Sequence, residues 1–293
     1  MNFRTIELSD KQNFDKYLKN NIRSAYNFTT NFIWRGEDKL KICVEDDFLF
    51  ILWDIGNHSR MLYPKGNGTD KKTAILKACS YMQEMGVMPK FTHLSEDDVL
   101  EMKQLFGDKF IFDFDRNGSD YIYETHRLIS LSGKKLHSKK NHLNSFKRNH
   151  NYIYRKITPD DIPDCKALFD LWYNDKEEIT KLMPESREAT YKLLDNLDNL
   201  GLTGGLIEID GKVVACTVGE RVTSDTVIVH VEFADTSYGG TYAAINQMFV
   251  ENEWADTLYI NREEDMGNKG LRKAKESYQP LKLLNSYTAT LKD

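Results

Sequence analysis

The sequence predicts an α/β protein with two domains of similar architecture. The chain has 293 residues, which is enough for one large or two medium domains. Of these residues, 40% are hydrophobic and 12% aromatic, enough to build packed cores. The same order of strands and helices also occurs twice along the chain. We place the first domain at residues 1–130 and the second at 131–293.

The first half opens with a predicted hairpin at 39–54, where apolar runs flank an acidic turn. The later elements are, in order, a strand at 60–66, a glycine-containing turn at 65–70, a helix at 71–86, a strand at 88–95, a helix at 95–107 and a strand at 109–115. The first of these helices is predicted from apolar residues at helical spacing and from the glycine at its end.

The second half repeats this order. Its hairpin at 203–222 turns at Asp210-Gly211, which is a strong hairpin signal. The later elements are a strand at 225–235, a glycine-containing turn at 236–240, a helix at 241–254, a strand at 257–263, a helix at 268–278 and a strand at 281–291. Because the order matches while the residues differ, we interpret the chain as a duplicated fold.

A basic segment lies between the two halves. Residues 125–159 include nine Lys or Arg and no Asp or Glu, although the whole chain has a net charge of −5. We predict a helix at 134–150 with a narrow apolar stripe. Its candidate phosphate- or nucleic-acid-binding residues are Lys139, Lys140, Asn141, Lys147 and Arg148. A solvated linker helix explains the same pattern, and both interpretations stay open.

The strand at 225–235 carries two titratable residues among apolar ones. Strand alternation places Val229, Val231 and Phe233 on one face, and His230 and Glu232 on the other. Burying such groups is costly unless they are paired or line a cleft. Either one is a candidate general base for an attacking amine or hydroxyl. The alternative is a polar pair that only fixes the sheet.

The stretch "NREEDMGNKGLRKAKESYQP", residues 261–280, joins an acidic cluster to a basic helix. Carboxylates at a strand end suit a cationic group, and the positive end of a helix with lysines suits a phosphate. Glycines let the backbone approach a ligand. The candidate substrate-binding residues are Asn261, Arg262, Glu263, Asp265, Gly267, Gly270, Lys273 and Lys275. The alternative is a helix stabilised by its acidic first turn and side-chain pairs.

Three segments carry a family resemblance: "KKLHSKKNHLNSFKR" at 134–148, "VIVHVEFAD" at 227–235 and the stretch at 261–280. Together they resemble the C-terminal synthase domain of bacterial phosphatidylglycerol lysyltransferase and its free-standing relatives. Such proteins are tandem GNAT domains, each a mixed, mostly antiparallel sheet flanked by helices. They are related in plan to the Fem-type enzymes, which transfer amino acids from aminoacyl-tRNA.

The resemblance implies acyl or aminoacyl transfer to an amine or hydroxyl. We place the cleft in the second domain. The helix predicted at 95–107 in the first domain has an acidic start and no matching basic helix, so we interpret the first domain as a degenerate copy. The resemblance also implies that Tyr278 protonates the leaving group, although a core position explains this tyrosine equally well. Aminoacyl-tRNA is the favoured donor, and tRNA or another phosphate-bearing substrate is the expected partner.

Two alternatives remain for the function. One is an acyl-CoA-dependent N-acetyltransferase, but the turn at 236–240 lacks the Arg or Gln that precedes the pyrophosphate-binding glycines of such enzymes. The other is a non-catalytic binding protein that uses the same cleft.

The sequence also gives expectations about cellular location and metal binding. No apolar run reaches the ~20 residues of a membrane span, so we expect a cytoplasmic protein. The cysteines are scattered in apolar contexts and predict buried thiols, with no metal site.

Overall fold

The computed structural model describes residues 1–36, 39–174 and 185–292. Packing contacts divide the chain into two compact units. The first unit contains Met1–Asp120, Glu264–Asn268 and Leu283–Asp293, and the second contains Tyr121–Glu263 and Lys269–Lys282. Each unit is therefore built from separated stretches of the chain. The predicted domain boundary between residues 130 and 131 stays a prediction.

The strands alternate with helices along the chain. In order, the strands are β1 Arg4–Thr5, β2 Leu40–Glu45, β3 Phe48–Trp53, β4 Arg60–Leu62, β5 Lys65–Gly66, β6 Lys90–Leu94, β7 Phe110–Glu124, β8 Tyr152–Lys156, β9 Thr203–Ile209, β10 Lys212–Arg221, β11 Thr226–Ala234, β12 Tyr259–Asn261 and β13 Lys282–Leu291. Strand β7 is longer than predicted, because it continues beyond residue 115 to Glu124.

The α-helices are α1 Lys11–Tyr17, α2 Phe28–Ile33, α3 Lys71–Glu84, α4 Glu96–Phe106, α5 Thr125–Ser130, α6 His137–Asn149, α7 Ile162–Asn174, α8 Ser186–Asp195, α9 Leu197–Leu200, α10 Thr241–Glu253 and α11 Lys269–Glu276. Helix α6 and the 3-10 turn before it, Lys134–Leu136, cover the predicted basic helix. The predicted apolar stripe of this segment is buried, at Leu136, Leu143 and Phe146.

In the first unit the strand order is β1-β2-β3-β4-β6-β13, and β5 pairs with β3. Strands β4 and β6 run parallel, whereas β2–β3, β3–β4 and β6–β13 are antiparallel. The core packs α3 and α4 against this sheet, with Ile75, Ala78, Met82 and Met102 fully buried.

In the second unit the order is β12-β11-β10-β9-β8. Strands β11 and β12 run parallel, and the other neighbouring pairs of this order are antiparallel. Helix α10 is buried on almost every side, including the predicted apolar face with Ala244, Ile245, Met248 and Phe249. Each unit is thus a mixed, mostly antiparallel sheet flanked by helices, as the sequence predicts.

Both hairpins turn through two residues with positive φ. These are Asp46 and Asp47 between β2 and β3, and Asp210 and Gly211 between β9 and β10. Two successive positive φ values define the type I′ turn, whose twist matches that of the flanking strands. The two predicted hairpins are therefore confirmed.

A short repeat that occurs once in each unit extends the duplication. Residues 4–10 read RTIELSD and residues 155–161 read RKITPDD, and both fit the pattern R-x-I-x-x-x-D. In each copy the arginine is bound through both terminal nitrogens to the aspartate that belongs to the capping box of the next helical turn. Hydrophobic periodicity does not reveal this repeat, because single charged residues carry no periodicity.

Candidate functional site

The candidate site of the second unit forms where its two parallel strands stop pairing. The last paired residues of β11 and β12 are Ile228 and Asn261. Just beyond this point lie His230 and Glu232 on β11, and Arg262 and Glu263 after β12. Ligands of open α/β sheets bind at such carboxyl ends.

A β-bulge in β11 sets the direction of His230. Val218 of β10 pairs with Val231, whereas the next residue, Gly219, pairs with Val229, so His230 is the extra residue. A Cβ at Gly219 would lie 2.6 Å from the carbonyl oxygen of Ile228, so the close approach needs glycine. The predicted strict alternation along β11 therefore fails at His230, because a bulge shifts the register by one residue.

His230 is held between two carboxylates. Its Nδ1 lies 2.9 Å from Oε1 of Glu263, and its Nε2 lies 3.0 Å from Oε1 of Glu220. Burial lowers the pKa of His230, but the hydrogen bonds and charges of Glu220 and Glu263 outweigh it and raise the pKa to about 9. In the imidazolium form both ring nitrogens donate. This environment suits His230 to positioning the two glutamates and disfavours it as a base near neutral pH.

Glu263 has an unusual backbone for a non-glycine residue. Its φ is +56°, and its backbone N–H donates to Oδ1 of Asn261 at 2.7 Å. The carbonyl of Glu263 accepts a hydrogen bond from the backbone of Tyr121 at 3.2 Å. A left-handed glutamate is sparsely populated and persists where its surroundings hold it, which is typical of functional sites.

Arg262 and Glu232 form a mostly buried ion pair. Nη2 of Arg262 lies 2.9 Å from Oε1 of Glu232, and Oε2 of Glu232 accepts from the side-chain amide of Asn246 at 2.9 Å. Nη1 of Arg262 is buried and has no hydrogen-bond partner among residues 1–36, 39–174 and 185–292. A buried donor without a partner costs about 1–3 kcal/mol, more if charged, so it needs an explanation.

The ring of Tyr278 contacts two cations. The guanidinium of Arg262 is 4.9 Å from the ring centroid, and Nζ of Lys139 is 4.3 Å from it. Burial raises the pKa of Tyr278, and the charge of Arg262 opposes this rise without cancelling it. Burial and the charge of Arg262 lower the pKa of Lys139. The phenol therefore stays protonated at neutral pH.

Lys275 supports the site from helix α11. Its Nζ donates to the carbonyl of Arg262 at 2.6 Å, and its own carbonyl accepts from the Tyr123 hydroxyl at 2.8 Å. The side chain is buried, whereas Gly270 and Lys273 of the same helix are exposed. The helix ends at Glu276, earlier than predicted, so Tyr278 lies in the following turn.

Asp265 and Gly267 belong to the first unit. The carboxylate of Asp265 is fully buried, lies 3.2 Å from Nη1 of Arg116 and accepts from the backbone of Gly267 at 2.9 Å. Gly267 has a φ of +80°. The sequence predicts that Asp265 is one of several carboxylates open to a cationic ligand at the strand end. In the structure its carboxylate instead pairs with Arg116 and closes a turn at Gly267. A ligand-binding role for this pair stays a prediction.

The other candidate residues of the basic helix are exposed. Lys140, Asn141, Lys147 and Arg148 lie on the solvent side of α6. Asn141 contacts the ring nitrogen Nδ1 of His137 at 3.4 Å. Their arrangement is an exposed positive surface that continues to the partly buried Lys139.

Helix α6 also covers the start of α10. A Cβ at Gly240, the residue before α10, would lie 2.4 Å from the carbonyl oxygen of His142. A carbonyl oxygen at this place repels an anion, although helix N-termini otherwise attract one. In the first unit, a backbone carbonyl also packs against the turn at 65–70, since a Cβ at Gly66 would lie 2.2 Å from the carbonyl oxygen of Asp47. The residues present do not fit the pyrophosphate of acyl-CoA.

Glu220, Asn246 and Tyr123 complete the site and were not predicted. Nothing in the spacing along β10 reveals that Glu220 faces His230, because the bulge sets that register. For Asn246 a signal exists: a polar side chain in an apolar helix buried on all sides needs a buried partner.

Three findings in the described part of the chain concern membrane spans, metal ligands and thiols. None of its helices is long and apolar enough to cross a bilayer. No group of three or more His, Cys, Asp or Glu in these residues is placed to hold a metal ion. All four cysteines are buried thiols, as predicted.

The family model described as "Phosphatidylglycerol lysyltransferase, C-terminal" matches residues 18–290. The chain belongs to this family. Its fold class is tandem GNAT-like, as expected. Family membership points to acyl or aminoacyl transfer, and the donor and acceptor are matters for proposal.

The family fold recurs in solved structures. A conserved protein of unknown function from Bacteroides thetaiotaomicron has 36% sequence identity and a TM-score of 0.90, covering 99% of both chains. L-PGS from Bacillus licheniformis has 13% identity and a TM-score of 0.61, covering 87% of this chain and 85% of that one. The second likeness concerns the fold alone.

A curated relative is an uncharacterized protein of Mycoplasmoides gallisepticum. It is 26% identical over 181 residues, which are 58% of this chain. The match spans 56% of that relative's own length.

Proposed function

We propose that the second unit transfers an aminoacyl group from aminoacyl-tRNA to an amine or hydroxyl acceptor. The observation that carries this proposal is the buried Nη1 of Arg262, which has no hydrogen-bond partner in the described residues. Lys139 contacts the same Tyr278 ring as Arg262. The two side chains together provide a positive site for an anion or a developing oxyanion.

The choice of donor follows from the surroundings of that site. The start of α10, where acyl-CoA enzymes hold pyrophosphate, is closed by the carbonyl of His142. The helix that closes it presents Lys140, Lys147 and Arg148 to solvent. Exposed cations of this kind neutralise backbone phosphates and give salt-dependent affinity for nucleic acid. These features favour a tRNA-borne ester over a CoA thioester.

The transfer step assigns a role to each site residue. The acceptor nitrogen or oxygen attacks the carbonyl carbon of the ester, and Glu232 takes the proton that the acceptor loses. Nη1 of Arg262 donates a hydrogen bond to the carbonyl oxygen as it becomes negative. The bond from the carbonyl carbon to the ribose oxygen then breaks, and Tyr278 donates its proton to that oxygen. Proton transfer from Glu232 restores the phenol.

His230 holds the framework of this site. As an imidazolium it ties Glu263 and Glu220 to the bulge of β11. Glu263 lies next to Arg262 in the chain, so the His230–Glu263 hydrogen bond helps to fix the position of the Arg262 guanidinium. Because the guanidinium is already in position, it does not have to reorient when charge develops on the substrate.

The first test is thermal unfolding of the purified protein with acetyl-CoA, charged tRNA or uncharged tRNA, at low and moderate salt. A ligand at a hundredfold its Kd stabilises the folded form by about 2.7 kcal/mol. We expect stabilisation by tRNA that weakens with salt, and none by acetyl-CoA. Transfer is then followed with aminoacyl-tRNA labelled in the amino acid and a panel of amines and alcohols.

Other outcomes contradict the proposal in distinct ways. Stabilisation by acetyl-CoA alone would support the N-acetyltransferase alternative. Binding of tRNA without transfer to any acceptor, unchanged by Glu232→Gln, would support a non-catalytic binding protein.

A further inference from the structure

The first unit has a cleft of about 400 Å³ at the position equivalent to the candidate site of the second. Its parallel strands β4 and β6 stop pairing at Leu62 and Thr92. Lys65 follows β4, and Ser95 and Asp98 follow β6, and all three line the cleft. The volume lies within the range of about 300–1,000 Å³ for small-molecule sites.

The carboxylate in this cleft, that of Asp98, already accepts hydrogen bonds from residues of the same unit. Oδ2 of Asp98 accepts from the backbone N–H of Ser95 at 2.9 Å and from its hydroxyl at 2.8 Å. Oδ1 of Asp98 accepts from Nζ of Lys65 at 2.5 Å. The side-chain oxygen of Asn21, another lining residue, accepts from the backbone of Arg23 at 3.0 Å. These acceptors are satisfied within the unit.

The donors retain capacity for a ligand. Lys65 has three N–H groups, one of which binds Asp98, and its Nζ lies 5.5 and 5.3 Å from the ring centroids of Tyr26 and Tyr63. Arg23 has five N–H donors and uses two of them on the carbonyls of Leu284 and Asn285. Lys19 at the rim is exposed.

Arg23 is fixed in place by its neighbour in the chain. The backbone N–H and the hydroxyl of Ser24 both donate to the buried carboxylate of Asp120, at 2.8 and 2.6 Å. The hydroxyl also lies 3.0 Å from Oε2 of Glu264. Because Ser24 is anchored on two acidic residues, the guanidinium of Arg23 is preorganised beside the cleft.

We propose that this cleft binds a small molecule through a phosphate monoester. Three cations, Lys19, Arg23 and Lys65, line it against the single carboxylate of Asp98. Their excess of two positive charges matches a phosphate, which carries about −1.5 to −2 at pH 7. Leu18, Ile22 and Leu284 provide apolar surface for the organic part of the ligand. On this proposal the first unit is a binding unit of its own.

Isothermal titration calorimetry of the full chain tests the site with glycerol 3-phosphate, adenosine 5′-monophosphate and glycerol. We expect at least one phosphate ester to bind and glycerol to give no heat. The tighter ester then separates a glycerol phosphate ligand from a nucleotide ligand. Lys19→Glu and Arg23→Gln should weaken that binding roughly tenfold or more.

Matched variants keep the test decisive. Lys19 is exposed, so Lys19→Glu leaves the buried core unchanged and tests the site even if Arg23→Gln unfolds the unit. Lys72→Glu makes the same charge change at an exposed position outside the cleft and should change the Kd less than twofold. Equal binding by Lys19→Glu and Lys72→Glu would overturn the proposal, as would the absence of heat with both esters.

Lys139→Gln separates this site from the one in the second unit. It should leave the Kd for the phosphate ester unchanged while weakening tRNA binding. If Lys139→Gln abolishes ester binding and Lys19→Glu does not, the ester occupies the second unit and the cleft proposal fails while the transferase proposal stands.

Discussion

The two compact units share one arginine–aspartate pairing and differ where their parallel strands separate. Arg4 binds Asp10 through Nη1 at 2.7 Å and through Nη2 at 2.5 Å, and Arg155 binds Asp161 through both nitrogens at 2.7 Å. Both aspartates also accept from the backbone three residues earlier, which caps a helical turn. The shared pairing and capping show that these two segments have a structural role in each unit.

Past the last paired residues the polar groups differ. In the first unit Lys65 forms a salt bridge with Asp98, and both residues line an open cleft. The second places His230 between two glutamates and pairs Arg262 with Glu232 beside a buried tyrosine. A duplicated fold therefore keeps the contacts that start its helices and varies the residues at the strand ends, where ligands bind.

The largest expected effect is on the chemical step. Glu232→Gln keeps the shape of the side chain but removes the proposed base, so we expect the transfer rate to fall by about 10²–10⁴ in single-turnover assays. Glu101→Gln makes the matched change in the first unit, where Glu101 accepts from Tyr63. It should leave the rate within about twofold. An equal loss in both variants would contradict the assignment of chemistry to the second unit.

Buried histidines of the two units should respond to pH in opposite directions. The pKa of His230 rises from 6.5 to about 9. Its contribution is therefore complete below pH 6.5 and is lost as the pH rises through about 9. At about 1.4 kcal/mol per pKa unit, the unfolding free energy falls by roughly 3 kcal/mol over this window. Urea unfolding of wild type and His230→Gln between pH 6 and 9.5 measures it.

In the first unit, burial lowers the pKa of His93. Protonation then opposes folding, so this histidine lowers the unfolding free energy as the pH falls through 6.5 and below. His93→Gln should flatten the stability profile on the acid side only, and His230→Gln on the alkaline side only. A common slope in both variants would contradict the difference between the two environments.

Breaking the repeated Arg–Asp pair should lower the unfolding free energy by a similar amount in each unit. Asp10→Ala and Asp161→Ala each remove a cap and a two-point charged hydrogen bond, and we expect each to lower the unfolding free energy by about 2 kcal/mol. Both arginines are partly exposed, which limits the loss. Thermal and urea unfolding check this. A cost in one unit alone would show that the pairing is not equivalent.

The smallest expected effect on stability is at the basic helix. Lys147→Gln with Arg148→Gln alters exposed residues and should change the unfolding free energy by less than about 0.5 kcal/mol. The same double variant should lower the salt dependence of tRNA binding by about 1–2 in log–log slope. Lys72→Gln in the first unit should alter neither. Fluorescence anisotropy with labelled tRNA at several salt concentrations measures the slope.

The elements were predictable because their signals are local. The hairpin at Asp210-Gly211, the apolar face of α10 and the stripe of α6 each follow from turn chemistry or periodicity within about 15 residues. The family resemblance rested on three motifs that the family match now covers. The repeat of R-x-I-x-x-x-D also lay in the sequence, but its meaning depends on a contact between residues six positions apart.

By itself the sequence determined the two hairpins, the order of the principal strands and helices that follow them, the doubled architecture and the family. It did not indicate the elements before residue 39 or the division of the strand at 60–66 into β4 and β5. Tertiary structure alone decided that Glu220 and Glu263 grip His230, that Asp265 lies buried against Arg116, and that a carbonyl closes the start of α10. The physical reason is register. The bulge at His230, between the pairs Val218–Val231 and Gly219–Val229, selects which side chain of β11 meets which residue of β10. No pattern within one strand records where the register of its neighbour shifts.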